Sequence, residues 1–148
     1  MTNPETPRIV FDAHQDIAWN AFNNRRDFAL GAWTKRRTEI DPVFLSRYGH
    51  SMTGLPDAIM GRVGLIGATI FVSPANLVMY PDETVFYTTI PEAYAHGMRQ
   101  LDYYHRLADE NDRIVLVQTQ SDLDAVLETW REGVEFADHR LGLIMLME

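Results

Sequence analysis

The sequence predicts an α/β fold built on a parallel sheet. The chain has 148 residues, of which 46% are apolar, enough for one domain with a buried core. Four apolar segments of strand length alternate with segments whose apolar residues recur at helical spacing. That alternation is typical of βα units, whose strands run parallel. We therefore expect one domain over residues 1–148, with residues 1–7 as a disordered lead-in.

The first half of the chain contains two predicted strands. The first spans residues 8–13 and ends in a polar cluster, whereas residues 20–50 are polar and irregular and predict loops. Pro56 and Gly61 stand where a short helix begins and ends. Residues 63–72 are apolar without alternation, which predicts a strand buried on both faces.

The second half of the chain alternates helix and strand. The spacing predicts a helix over residues 91–109. Its expected apolar stripe is Tyr94, Met98, Leu101, Tyr104 or His105, and Ala108. A third strand is predicted at residues 114–117. Another helix follows, with Ser121 as its expected N-cap.

A fourth apolar strand, residues 141–148, ends at a carboxylate. Right-handed crossovers place the helices outside the sheet. About four βα units make up half of an eight-stranded barrel, so we expect the amino-terminal half of a TIM-type (β/α)8 barrel. Active sites of such barrels lie at the carboxyl ends of the strands, which is where His14, Asp16 and Glu148 fall.

Composition excludes several function classes. The net charge of −8 argues against binding to nucleic acid or to an anionic membrane surface. The chain has no cysteine, so any zinc must be held by histidine and carboxylate. The amino terminus lacks the features of a secretory signal, and the longest apolar stretch is too short for a membrane segment. A cytoplasmic protein is expected.

The strongest candidate site follows the first strand. Asp12, His14 and Asp16 come after an apolar run with one residue between each pair, so they share one face of an extended chain. An imidazole and a carboxylate aimed the same way can hold a divalent ion, and both are ordinary zinc ligands. The alternative is a solvated loop after a strand.

Other residues offer weaker candidates for substrate binding. Trp19 lies close to the polar cluster and is a candidate pocket residue, with packing as the alternative. Arg25 or Arg26 is a candidate for binding a substrate carboxylate, although such charge runs are usually solvated. His96 and His105 belong to a helix, and we expect surface positions for them rather than metal ligation.

These motifs together resemble the membrane dipeptidase (renal dipeptidase) family of metallopeptidases. The family's first strand ends D-G-H-x-D, and residues 12–16 match it with Ala13 in place of glycine. Trp19 follows, as a tryptophan often does in that family. Residues 55–64 are similar to its segment before strand two, and residues 143–148 to its L-x-G-x-E-G-G strand. The resemblance covers nearly the whole chain.

The resemblance implies a zinc-dependent hydrolase of peptide or amide bonds in dipeptides. His14 and Asp16 would bind the first zinc, and Glu148 would bridge the first and second. The family's remaining ligands, two later histidines, and its proton-transferring aspartate come beyond that glutamate. The chain would then correspond to an amino-terminal half that holds one zinc ion or none and is inactive by itself.

Two alternatives remain open at this stage. A half-barrel has two open strand edges, so the chain is alternatively a non-catalytic module that forms a homo-oligomer or pairs with a separate carboxyl-terminal half. A different barrel metallohydrolase is the other alternative. The wider amidohydrolase group mostly has H-x-H after strand one, and Asp16 in the second position favours the dipeptidase branch.

Overall fold

The computed structural model describes residues 8–148, and the predicted lead-in of residues 1–7 lies outside that range. In chain order the elements are β1 (Val10–Gln15), α1 (Ile17–Asn24), α2 (Ala32–Arg36), α3 (Pro42–Tyr48), α4 (Leu55–Met60), β2 (Val63–Ile70), β3 (Ser73–Pro74), β4 (Phe86–Tyr87), α5 (Ile90–Asp109), β5 (Ile114–Leu116), α6 (Gln120–Glu128) and β6 (Leu141–Met147).

Four strands form one parallel sheet in the order β1-β2-β6-β5. The short strands β3 and β4 pair separately. The central strand β2 is buried along most of its length, because β1 and β6 flank it and helices pack on it. The predicted parallel α/β fold and the buried second strand are therefore confirmed.

The strand order differs from the one expected of half a barrel. In a (β/α)8 barrel, strands that follow one another in the chain are neighbours. Here β6 lies between β2 and β5, so the last two strands have exchanged places. β5 pairs only with Leu141–Leu143, the first part of β6. The sheet thus leaves the half-barrel expectation unconfirmed.

Two side chains of helix α5 form hydrogen bonds with the backbone at the carboxyl end of β2. The Gln100 side chain donates to the Phe71 carbonyl oxygen at 2.7 Å, and the Tyr104 hydroxyl donates to the Thr69 carbonyl oxygen at 2.8 Å. Both side chains are fully buried, and Tyr104 belongs to the predicted stripe, whereas Tyr94 at the start of that stripe is 70% exposed. The predicted stripe is wrong at its start, where Tyr94 is exposed, whereas its later members Leu101 and Ala108 pack against the core as expected.

Two local sequence predictions need correction. Residues 20–50 are not irregular, since α1, α2 and α3 occupy much of this segment. Each of these helices has at most eight residues, too few for periodicity to reveal. The N-cap of α6 is Thr119 rather than Ser121, and Asp122 completes its capping box.

Within residues 8–148, no helix has both the length and the apolar character needed to cross a membrane.

Candidate metal centre

Three predicted ligands meet at the carboxyl edge of the sheet. His14 lies near the end of β1, Asp16 follows that strand, and Glu148 follows β6. One ligand atom from each of the three lies within 4.8 Å of the other two. This group, the His14–Asp16–Glu148 triad, joins residues that are far apart in the sequence.

The sheet explains how the triad forms. β1 and β6 lie on opposite sides of β2, so His14 and Glu148 approach each other across that strand. The Glu148 backbone N–H donates to the Ile70 carbonyl oxygen at 3.2 Å, which extends the β6 register to the glutamate. The imidazole Nε2 and the Glu148 Oε1 are then 2.6 Å apart.

A β-bulge orients the end of β1. Asp12 pairs with Ile66 and Gln15 with Ala68, so two residues of β1 stand opposite the single residue Gly67. A Cβ atom at Gly67 would lie 2.3 Å from the Ala13 carbonyl oxygen. Only glycine therefore allows this close approach of the two backbones.

The bulge also keeps Asp12 out of the triad, although Asp12 and Asp16 line the same cavity. The Asp12 carboxylate accepts from the Gln15 side chain at 2.7 Å and from the His14 backbone N–H at 3.2 Å. Strict alternation predicted all three residues on one face, but Asp12 does not join His14 in the triad, because an inserted residue changes the phase of the strand.

Neighbouring residues fix the orientation of Asp16. The fully buried Thr69 hydroxyl donates to Asp16 Oδ1 at 2.5 Å, which leaves Oδ2 for another ligand. Asp16 occupies the N-cap position of α1 but forms no side-chain cap hydrogen bond. Its carboxylate therefore faces the sheet edge and does not cap the N-terminus of α1.

The charges of the triad favour a cation. The hydrogen bond that the His14 imidazolium donates to Glu148, with the negative charges of Asp16 and Glu148, holds the pKa of His14 above its ordinary value. The side chains of His14 and Glu148 are 51% and 40% exposed, so an ion can reach them from solvent.

One nitrogen and two carboxylates are a suitable donor set for a metal ion. Ligands about 2.0–2.2 Å from a tetrahedral ion lie roughly 3.3–3.6 Å from each other. The His14–Glu148 contact at 2.6 Å would open slightly to admit an ion, which their exposed side chains permit. With three protein ligands, the fourth position of such an ion is left for water or substrate.

A cavity of about 440 Å³ adjoins the triad at Asp16. Trp19 lines it, as its candidate role required, and the indole N–H is buried without a hydrogen-bond partner in the described chain. Arg26 also lines it, but Glu39 and the Gly49 carbonyl oxygen already occupy its guanidinium. Arg25 lines a neighbouring cavity instead.

Sequence reasoning missed Lys35, which lines the same cavity and is only 6% exposed. Its cluster with Arg36 and Arg37 was interpreted as a solvated face. The only local signal is that Lys35 lies three residues after Ala32, which puts both on the buried side of α2.

The fold and the site together define an α/β protein with a His–Asp–Glu triad at the carboxyl edge of a parallel sheet. Comparisons of the chain with protein-family models, with curated proteins and with solved structures gave no match.

Proposed function

We propose that this chain forms one side of the active site of a zinc-dependent, dipeptidase-like hydrolase of peptide or amide bonds. The observation that carries the proposal is the approach of His14, Asp16 and Glu148 to within 4.8 Å of one another. These are the three residues that the resemblance to the membrane dipeptidase family assigns to zinc, and they come from opposite ends of the chain.

The residues of this chain have separate roles in the proposed site. Bound zinc would lower the pKa of a water ligand and polarise the scissile carbonyl group. His14 would offer Nε2, and Asp16 would offer the oxygen that Thr69 does not occupy. Glu148 has two oxygens, so it suits the position between two ions. Thr69 would be a positioning residue, since it touches only the ligand.

The arrangement of three strands supports a barrel origin for the sheet. β1, β2 and β6 lie side by side in chain order, as three consecutive barrel strands would. In this interpretation β5 is an additional strand at the start of β6. The part of β6 from Ile144 to Met147 has no partner on that side in the described chain, and the next barrel strand would pair there.

Zinc titration tests the proposed function. We expect the chelator-treated chain to bind one zinc ion in calorimetry and to show little or no hydrolysis of dipeptides, because the triad supplies only part of a two-metal site. Absence of zinc binding would remove the proposal. Metal-dependent turnover by this chain would contradict the expected division of the active site.

The pKa of His14 provides a second test. In the zinc-free protein, Glu148→Gln should lower the pKa of His14, because the variant removes the charge and strongest acceptor that stabilise the imidazolium. An NMR titration of the imidazole measures this change. Glu132→Gln, an exposed acid outside the triad, should leave the His14 pKa unchanged.

The raised His14 pKa also sets the pH dependence of zinc binding. A proton and a metal ion compete for the same imidazole, so affinity should fall as pH decreases through the pKa of His14. Calorimetry over a pH series measures this fall. A zinc affinity that is constant across that pKa would show that His14 is not a ligand.

A second candidate function is a non-catalytic module that self-associates or pairs with another chain. Its supporting observation is the edge strand β1, where Val10 and Phe11 are 50% and 53% exposed. Paired strand edges would cover such residues. Light scattering distinguishes the candidates: a dimer favours association, and a monomer at all concentrations counts against a homo-oligomer.

A further inference from the structure

Lys35 is a buried cation that forms no ion-pair contact within residues 8–148, although Asp57, Asp27 and Glu39 act on it electrostatically. It is 6% exposed, and its Nζ donates to the Asp27 carbonyl oxygen at 2.9 Å. An ammonium group has three donors, so two remain for other partners. Buried charges are normally paired, which makes this position unusual.

The nearby carboxylates have other partners. Glu39 accepts from Arg26 at 2.8 Å and from the Ser51 backbone N–H at 2.8 Å. Asp57 accepts from the Ala32 backbone N–H at 2.7 Å. Asp27 accepts from a backbone N–H with its side chain and offers only its carbonyl oxygen to Lys35. Their fields reach Lys35, but none of them neutralises it by contact.

Lys35 and Asp16 line the same 440 Å³ cavity, and Asp16 belongs to the triad. A ligand in that cavity therefore has a route from the buried cation to the candidate metal centre. Arg26 also lines the wall, but its guanidinium is paired with Glu39, so Lys35 supplies the positive charge, and the unpartnered Trp19 N–H adds a donor. Burial holds the pKa of Lys35 below its usual value, and a bound anion would offset that penalty.

We propose that Lys35 binds the carboxylate of the substrate inside this cavity. The assignment rests on the proposed function, whose dipeptide substrates carry a terminal carboxylate, and it names the residue of this chain that would bind that group. Lys35 would act by binding and orientation, with the reacting amide directed towards Asp16. A charge-assisted hydrogen bond from a partly desolvated ammonium would favour the carboxylate over a neutral group of the same size.

Lys35 is the only lysine in the chain, so NMR can observe its side chain selectively. Lysine labelled with ¹³C at Cε would give a single side-chain resonance. N-acetylglycine serves as the probe, since it carries one amide and one carboxylate, and N-acetylglycinamide is its neutral control. The titration uses zinc-free protein, so its result is independent of metal binding.

We expect N-acetylglycine to shift the Lys35 resonance saturably and the neutral amide to leave it in place. Lys35→Met should weaken binding of N-acetylglycine about 10- to 100-fold in calorimetry, the loss expected for a hydrogen bond to a charged group. Arg37→Met removes a charge from an exposed position two residues away and should leave this affinity unchanged.

Three results would overturn the assignment of Lys35. They are no saturable shift with N-acetylglycine, an equal shift with the neutral amide, and an unchanged affinity in Lys35→Met. The wild-type titration remains decisive if the variant does not fold. A saturable carboxylate response without zinc binding would retain the anion site and remove the metallohydrolase, and zinc binding without that response would do the reverse.

Discussion

His14→Ala lowers the zinc affinity of the chain at least 100-fold. Removing an outer partner of a metal ligand typically costs about 10- to 100-fold in affinity, and loss of a ligand should cost no less. The two remaining triad members, Asp16 and Glu148, would hold the ion through carboxylates alone. Zinc titration of the chelator-treated variant by calorimetry measures the change, at a pH above the His14 pKa.

The matched control is His105→Ala. It removes an imidazole from an exposed position on α5, outside the triad, so zinc affinity should not change. Thr69→Val should give an intermediate loss of about 10- to 100-fold, because it removes only the hydroxyl that orients Asp16. Equal affinities for wild type and His14→Ala would mean that zinc binds elsewhere.

The sequence revealed the triad because its signals are local. His14 and Asp16 stand one residue apart after an apolar strand, and Glu148 follows another, so a parallel sheet was enough to bring their strand ends to one edge. The exclusion of Asp12 was not predictable in this way. It depends on a bulge opposite Gly67, and a bulge is a property of the paired strands rather than of β1 alone.

Other features depend on long-range packing. Lys35 is buried because α2 packs beside the cavity wall, whereas its neighbours in the sequence are arginines that suggest a solvated face. β6 lies between β2 and β5 because the connection after β5 returns the chain to the edge of β2. The alternation of strands and helices in the sequence does not determine which sheet edge a connection returns to. Short helices such as α2 give too few turns for a periodic pattern.

Gly67→Ala should destabilise the fold and the triad together. The added methyl group would lie 2.3 Å from the Ala13 carbonyl oxygen and 2.8 Å from Leu146 Cδ1, within a strand that is buried between two others. Overpacking of this kind costs about 1–3 kcal/mol in the free energy of unfolding. Urea denaturation measures that loss.

Relief of this clash would also change the metal centre. The side chain of Leu146 can rotate, but the Ala13 carbonyl can move only with the bulge that precedes His14. Displacement of β1 from β2 would separate His14 from Glu148, so zinc affinity should fall as well as stability.

Gly97→Ala is the matched control for this effect. Gly97 lies within α5, and a Cβ atom there would meet only Ile70 Cγ2 at 3.7 Å, an ordinary contact. Since alanine is favoured over glycine inside a helix by up to about 1 kcal/mol, this variant should be as stable as wild type or more stable. Its zinc affinity should not change. If Gly67→Ala behaved like Gly97→Ala in both measurements, the close approach of Ala13 and Gly67 would not be what positions His14.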